Sequence, residues 1–124
     1  MEVLAVAIGG AIGAIARFWM SNGIYAWLGR DFPWGTLVVN VVGSLVMGWL
    51  YVHFVERGAV SHVVRLALMT GLLGGLTTFS TFSLETVQLL QRGHVMSALG
   101  NVVASAVVCV AACWLAIWVT RNLL

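Results

Sequence analysis

Long stretches without charge are the feature that most restricts the fold of this chain. Six basic and four acidic side chains are the only Arg, Lys, Asp or Glu in 124 residues. The four longest uncharged stretches between them are 3–16, 32–55, 66–84 and 93–120. The last three each reach the roughly 20 residues that a helix needs to cross about 30 Å of hydrocarbon, and the first does so once Arg17 is included. We therefore predict a membrane protein.

Helices are the predicted elements because every backbone N–H and C=O group in lipid needs a partner within the protein. A closed barrel would also satisfy this requirement, but a chain this short has too few strand-like alternations to form one. We predict an all-α membrane protein that is a single domain over residues 1–124. Its four transmembrane helices are expected to cover the following ranges: about 3–27, 34–55, 62–90 and 95–120.

Charge and motifs argue against two other classes of protein. The formal net charge is only +2 and there is no basic cluster, so we predict no nucleic-acid partner. Neither HExxH nor GxSxG is present, and no Ser, His and Asp stand at comparable depth. We therefore predict that the chain is not an enzyme.

The arginines are evenly divided between the two sides of the predicted membrane. Three lie on the side of both termini and three lie on or nearest the other side: Arg57, Arg65 and Arg121 against Arg17, Arg30 and Arg92. Because the Lys and Arg bias of short loops sets orientation, a tie permits insertion both ways. Inverted copies would assemble as an antiparallel homodimer with its two-fold axis in the membrane plane. A chance tie among six charges is the alternative.

Small and polar residues at helical spacing mark the first two helices. In "GGAIGAIAR", Gly9 and Gly13 form a GxxxG pattern, which favours close helix packing. Arg17 must snorkel, pair or face water, so we weigh an anion-gathering vestibule against simple interfacial snorkelling. In the second helix, Asn40 can either bridge two helices or donate hydrogens to a passing solute, and bridging is the commoner fate of such an amide.

The stretch "GGLTTFSTFS", residues 74–83, is the least lipid-like part of the third span. Its glycines and threonines disfavour a helix, so we predict an interruption there. An interruption frees backbone groups, which is tolerated only where protein, an ion or a water-lined cavity satisfies them. Free carbonyls are potential ligands for a small hard cation, and the amides that begin the next helical segment attract anions.

Phe79 and Phe82 are three residues apart and so share a face of the helix that follows. The edge of an aromatic ring carries partial positive charge and can contact a small anion. Donors such as Ser80, Thr81 and Asn40 could then replace the water that the anion leaves behind. An ordinary pair of core phenylalanines with hydroxyls bonded back to their own helix is the alternative.

The fourth helix carries a stripe of polar and small residues: Ser97, Asn101, Ser105, Cys109 and Ala112. It could line a pore or pack against another helix, and we predict packing. Cys109 and Cys113 stand among Val, Ala and Trp, so we predict small packing residues without a disulfide.

The motifs together resemble the Fluc/CrcB family of bacterial fluoride channels over essentially the whole chain. They are "GGxxGAxxR" in the first span, "GTxxxNxxG" in the second and "GxxGGLTTFSTFS" in the third, with a length near 120 residues. The segment "TTFSTFS" is not a generic membrane pattern, which makes the resemblance specific. It implies a passive, fluoride-selective channel in the bacterial inner membrane that lets fluoride leave the cytoplasm down its gradient, built as an antiparallel homodimer with two pores.

The resemblance also implies roles for particular residues. Arg17 would lie in a vestibule, and the backbone carbonyls of Gly74 and Thr77 from both subunits would hold a central structural Na⁺. The pore residues that it implies are Phe79, Phe82, Asn40, Ser80 and Thr81. The implied partners are the fluoride ion, the surrounding lipid and a second copy of the chain.

A dual-topology small multidrug exporter is the alternative function, since it would also show balanced arginines. Such an exporter exchanges protons for cationic drugs and needs a carboxylate within the membrane, for which Glu85 is the candidate. We expect Glu85 instead to lie toward the membrane surface or to pair with a neighbouring hydroxyl. A purely structural subunit is a further alternative, and its polar stripes would tolerate apolar replacement.

Overall fold

A computed structural model describes all 124 residues as helices joined by short loops. The helices are α1 (Glu2–Leu28), α2 (Trp34–Glu56, π-helical from Tyr51), α3 (62–76, π-helical over Leu66–Leu73), α4 (Ser80–Gln91) and α5 (Val95–Leu123). Four spans are long and apolar enough to cross a membrane, and the third contains both α3 and α4. The predicted all-α protein with four membrane-spanning segments is confirmed.

The backbones of α1 and α3 approach closely because glycines lie at their contact. A Cβ placed on Gly13 would overlap the carbonyl oxygen of Leu72, and one placed on Gly75 would lie 2.5 Å from the carbonyl oxygen of Gly10. Gly9 meets the backbone of α3 in the same way. The prediction that the glycines of the first helix serve close packing is confirmed.

Little of the chain is buried against itself. Only 18 of the 124 residues are buried, while large apolar side chains such as Phe18 and Trp19 are exposed. An exterior of this kind is poorly compatible with water and well suited to hydrocarbon. The central apolar cluster has four members: Val39, Leu50, Leu73 and Leu76.

The backbone leaves helical geometry within the third span, between Leu76 and Ser80. Thr77 is extended, with φ −87° and ψ 158°. Its hydroxyl donates a hydrogen bond of 2.8 Å to the carbonyl of Leu73, one turn earlier. The non-helical residues 77–79 lie in the glycine- and threonine-rich stretch and separate α3 from α4.

Candidate functional site

A groove of about 640 Å³ opens beside residues 77–79. One wall is α2, the second is residues 77–79 with the end of α3 and the start of α4, and the third is α5. The lining combines polar side chains and glycines with apolar side chains. The groove therefore gathers residues from the second, third and fourth spans around the point where the backbone is not helical.

Asn40 holds the backbone at this point. Its Nδ2 donates to the carbonyl of Thr78 at 2.9 Å, and its Oδ1 accepts from the amide of Thr78 at 2.9 Å. In a continuous helix that amide would donate to the carbonyl of Gly74. The side chain of Asn40 thus bridges two spans, as expected for such an amide. It also lines the groove, and Nδ2 carries a second hydrogen.

The hydroxyl of Thr78 stabilises the start of α4. It accepts a hydrogen bond of 3.2 Å from the amide of Thr81, which is an otherwise unpaired donor at the beginning of the helix. This capping contact and the two bonds from Asn40 give three backbone groups at and beside residues 77–79 partners within the chain.

Phe79 and Phe82 lie together on the groove. Their ring centroids are 5.3 Å apart and their planes are tilted by 54°. Phe79 is 78% exposed, whereas Phe82 is half-buried. The alternative of two core phenylalanines is therefore wrong for Phe79, because its ring lies outside the apolar core of the chain.

Ser80 and Thr81 lie beside the groove of a single chain and do not line it. The Ser80 hydroxyl is exposed and 3.4 Å from that of Thr78, and Thr81 is half-buried. Their implied role as pore contacts stays a prediction.

The polar stripe of α5 divides between packing and the groove. Asn101 is buried and donates to the hydroxyl of Thr86 at 2.9 Å, which agrees with the predicted packing role. Ser105 lines the groove, and its hydroxyl donates to Oδ1 of Asn101 at 3.4 Å. Packing was therefore the wrong expectation for Ser105. The four-residue spacing of the stripe does not indicate which of its residues pack against another helix and which line the groove.

Three further residues of the groove were not expected there. Ser44 on α2, Cys109 and Cys113 on α5 all line it, and both cysteines are free thiols. The free thiols agree with the prediction that the two cysteines form no disulfide. The predicted packing role is incomplete, because both side chains also line the groove. A signal for Ser44 was available, because it lies one turn after Asn40 on the same helix face.

Comparison with known sequences assigns the family. The family model described as "CrcB-like protein, Camphor Resistance (CrcB)" matches residues 4–117. The chain belongs to the CrcB-like family. Its membership agrees with the resemblance carried by the motifs of the first three spans.

Relatives of this CrcB-like chain carry the name fluoride-specific ion channel FluC. One from Methylococcus capsulatus is 51% identical over 123 residues, which is 99% of this chain and 54% of the relative. One from Magnetococcus marinus is 50% identical over 121 residues, and one from Geobacter sulfurreducens is 46% identical over 121 residues, each covering 98% of both sequences. The chain spans about half of the first relative and nearly all of the other two. These names give no support to a multidrug exporter.

Glu85, the carboxylate that an exporter would need, is held by hydroxyl groups in this CrcB-like chain. Tyr25 donates to its Oε2 at 2.5 Å, and Thr36 donates to its Oε1. The expectation that Glu85 pairs with a neighbouring hydroxyl is confirmed. A small polar pocket of about 40 Å³ adjoins it, with Arg30 and Arg92 in its lining.

Arg17 lies on α1 and does not line the groove. Its Nε is buried and has no hydrogen-bond partner in the chain. A buried donor without a partner is uncommon in folded proteins. The vestibule role implied for this residue in the CrcB-like family stays a prediction.

The carbonyls of Gly74 and Thr77 suit a cation. Both residues line the groove, and the Thr77 carbonyl accepts no hydrogen bond. The amide that would bond to the Gly74 carbonyl in a helix donates to Asn40 instead. Hard cations prefer oxygen ligands and take about six. One CrcB-like chain could supply two oxygen ligands, the carbonyls of Gly74 and Thr77. They fit a cation site whose other ligands come from outside this chain.

Proposed function

We propose that this chain is the subunit of a passive, fluoride-selective channel. The observation that carries the proposal is the exposed Phe79 ring, which lies with Phe82 and Asn40 on one groove in a chain of the CrcB-like family. Relatives of nearly equal length are named fluoride-specific ion channels. The protein is thus a transport protein and not an enzyme.

Fluoride is small and strongly hydrated, so a selective passage must replace its water with compact donors in a narrow space. The edges of Phe79 and Phe82 offer partial positive charge, and the second Nδ2 hydrogen of Asn40 offers a hydrogen bond. Hydroxyls of Ser44 and Ser105 stand on the same groove. None of these groups is a full positive charge, which keeps each contact weak enough for the ion to move on.

The remaining residues implied by the family take subsidiary roles in this proposal. Ser80 and Thr81 are further polar contacts of the ion, reached once a second chain narrows the groove. Arg17 attracts the anion into a vestibule through its positive charge. Both roles rest on the family resemblance together with these positions.

The functional unit is an antiparallel homodimer with two pores. The groove of one chain is open, and Phe79 at its edge is largely exposed, so one chain does not enclose a passage. The three-against-three division of arginines permits both orientations. The two-fold axis lies in the membrane plane, and the outer apolar faces contact lipid.

A structural Na⁺ at the centre of the dimer joins the interrupted third spans. The Gly74 and Thr77 carbonyls of two subunits together offer four oxygens, which suits a hard cation. The extended backbone at Thr77 and the hydrogen bonds between Asn40 and Thr78 support a helix interruption that specific contacts stabilise. The ion compensates carbonyls that have no amide partner.

The location that fits this function is the bacterial inner membrane. Hydrogen fluoride is a weak acid that enters cells as the neutral molecule and dissociates inside. A channel then lets the anion run out down its electrochemical gradient, which gives fluoride resistance without ATP or a coupled ion.

Ion efflux from liposomes tests the proposal. Purified protein is reconstituted into vesicles loaded with potassium fluoride or potassium chloride, and release is followed with ion-selective electrodes after valinomycin is added. We expect rapid fluoride release and no chloride release above that of protein-free vesicles. Well-folded protein that releases no fluoride, or releases both ions alike, would overturn it.

A further inference from the structure

We propose that Tyr25 is a positioning residue for conduction, which holds the carboxylate of Glu85 aside from the anion. This inference rests on the proposed channel function and adds to it a residue of the first span. Tyr25 lies on α1, outside the groove, and is 60 positions from Glu85 in the sequence.

Glu85 lies on α4 close to the groove, although it does not line it. It follows Phe82 by three residues on α4, so the two side chains are neighbours on the helix surface. Thr86, on the next position, is linked through Asn101 to Ser105 on the groove. A carboxylate that is free to turn toward this face would repel fluoride and compete with it for hydroxyl and amide donors.

Two hydroxyls from different helices occupy both carboxylate oxygens. Tyr25 of α1 donates to Oε2 at 2.5 Å, and Thr36 of α2 donates to Oε1. The two hydroxyls are themselves 3.4 Å apart, so they form one cluster with the carboxylate. Rotation of Glu85 toward the groove breaks both bonds, and the pair therefore fixes its side-chain conformation.

Two arginines lie near the cluster of Tyr25, Thr36 and Glu85. The guanidinium of Arg30 lies over the Tyr25 ring, 4.7 Å from its centroid. Arg30 and Arg92 face the small pocket beside Glu85, together with Asp31 and Gln88. Tyr25 thus holds Glu85 through its hydroxyl and Arg30 through its ring.

The test is single-channel fluoride current in planar bilayers, where neutral hydrogen fluoride carries no current. Tyr25→Phe removes the hydroxyl and keeps the ring under Arg30. We expect its current at neutral pH to fall by about tenfold, the order expected for loss of one hydrogen bond to a charged group.

Coupling to Glu85 separates positioning from a merely structural effect. Adding Tyr25→Phe to a Glu85→Gln channel should cause no further loss of current, because no carboxylate remains to be held. Tyr51→Phe, the same change at the other tyrosine, which makes no side-chain hydrogen bond, is the matched control. Its current should equal that of the unmodified channel.

Two results would overturn the inference while leaving the channel function intact. One is a Tyr25→Phe channel with unaltered current, and the other is an equal loss of current when Tyr25→Phe is added to the Glu85→Gln channel. Absence of fluoride current from the unmodified protein would instead reject the proposed function itself.

Discussion

The side-chain amide of Asn40 forms two hydrogen bonds of 2.9 Å with the backbone of Thr78, one through each end of the amide. The pair joins α2 to the residues that separate α3 from α4. It satisfies the amide and the carbonyl of Thr78, which lies within the non-helical residues 77–79. The same amide lines the groove, so the geometry of the groove and the stability of the fold depend on one side chain.

Asn40→Leu should destabilise the protein and reduce fluoride flux together. The substitution leaves both backbone groups of Thr78 without partners, at a cost of about 1–3 kcal/mol for each group. Thermal unfolding in detergent and fluoride efflux measure the two effects. Asn122→Leu is the control, because that exposed amide bonds only to the carbonyl of Trp118 in its own helix. If Asn40→Leu were as stable as the unmodified protein, the two hydrogen bonds between Asn40 and Thr78 would not stabilise the fold as proposed.

Phe79→Ile should reduce fluoride flux with little change in stability. Its ring is 78% exposed in the single chain and contributes little to the core. Loss of an aromatic edge contact of about 0.5–1.5 kcal/mol corresponds to a fall in flux of about two- to thirteenfold. Efflux from liposomes and dimer content by size-exclusion chromatography are the measurements. Phe18→Ile, at an exposed position of α1, should leave flux unchanged.

Gly13→Ala should destabilise the chain by about 1–3 kcal/mol. The new methyl group would overlap the backbone carbonyl of Leu72, so α1 and α3 have to separate. Gly23→Ala on the same helix meets no atom within 4 Å and is the matched control. It should be neutral or stabilise by up to about 1 kcal/mol, since alanine favours a helix. Equal thermal stability of the two variants would refute tight packing at Gly13.

Charge added to one set of loops should abolish function by forcing a single orientation. Three lysines in the loop between α2 and α3, or three in the loops on the opposite side, break the balance of arginines. Each variant alone should give no fluoride efflux, and co-expression of the two should restore it. Cysteine accessibility from either side of the membrane measures the orientation. A uniformly oriented variant that conducts normally would exclude an antiparallel dimer.

Removal of Na⁺ should weaken the dimer. Replacement by N-methylglucamine, which is too large for a carbonyl cage, leaves the carbonyls of Gly74 and Thr77 without a cation. The proportion of dimer during dilution in detergent should fall relative to a sample in Na⁺, and return when Na⁺ is added. If the dimer is equally stable in both solutions, the proposed cation site is wrong.

Much of the fold could be predicted because the membrane makes charge placement decisive. A charged side chain in hydrocarbon is costly, so the spacing of ten charged residues indicates where the spans lie. Close packing of α1 against another helix was also predictable, although its partner α3 was not, since glycines at a four-residue spacing let backbones approach closely. These are properties of a single helix, and a linear sequence displays them directly.

The candidate site was only partly predictable. Phe79, Phe82 and Asn40 were expected at a pore, and the structure gathers them on one groove. The different fates of Asn101 and Ser105 were not predictable, because two residues one turn apart look equivalent until the neighbouring helices are in place.

The sequence by itself determined four apolar spans, a glycine-lined helix face and an unusual polar stretch within the third span. Only the tertiary structure decided what that stretch contacts. Asn40 and Thr78 are 38 positions apart, and Tyr25 and Glu85 are 60 positions apart. Helical periodicity reports neighbours within a few turns of one helix, whereas hydrogen bonds between spans depend on the rotation and crossing of whole helices, which packing sets.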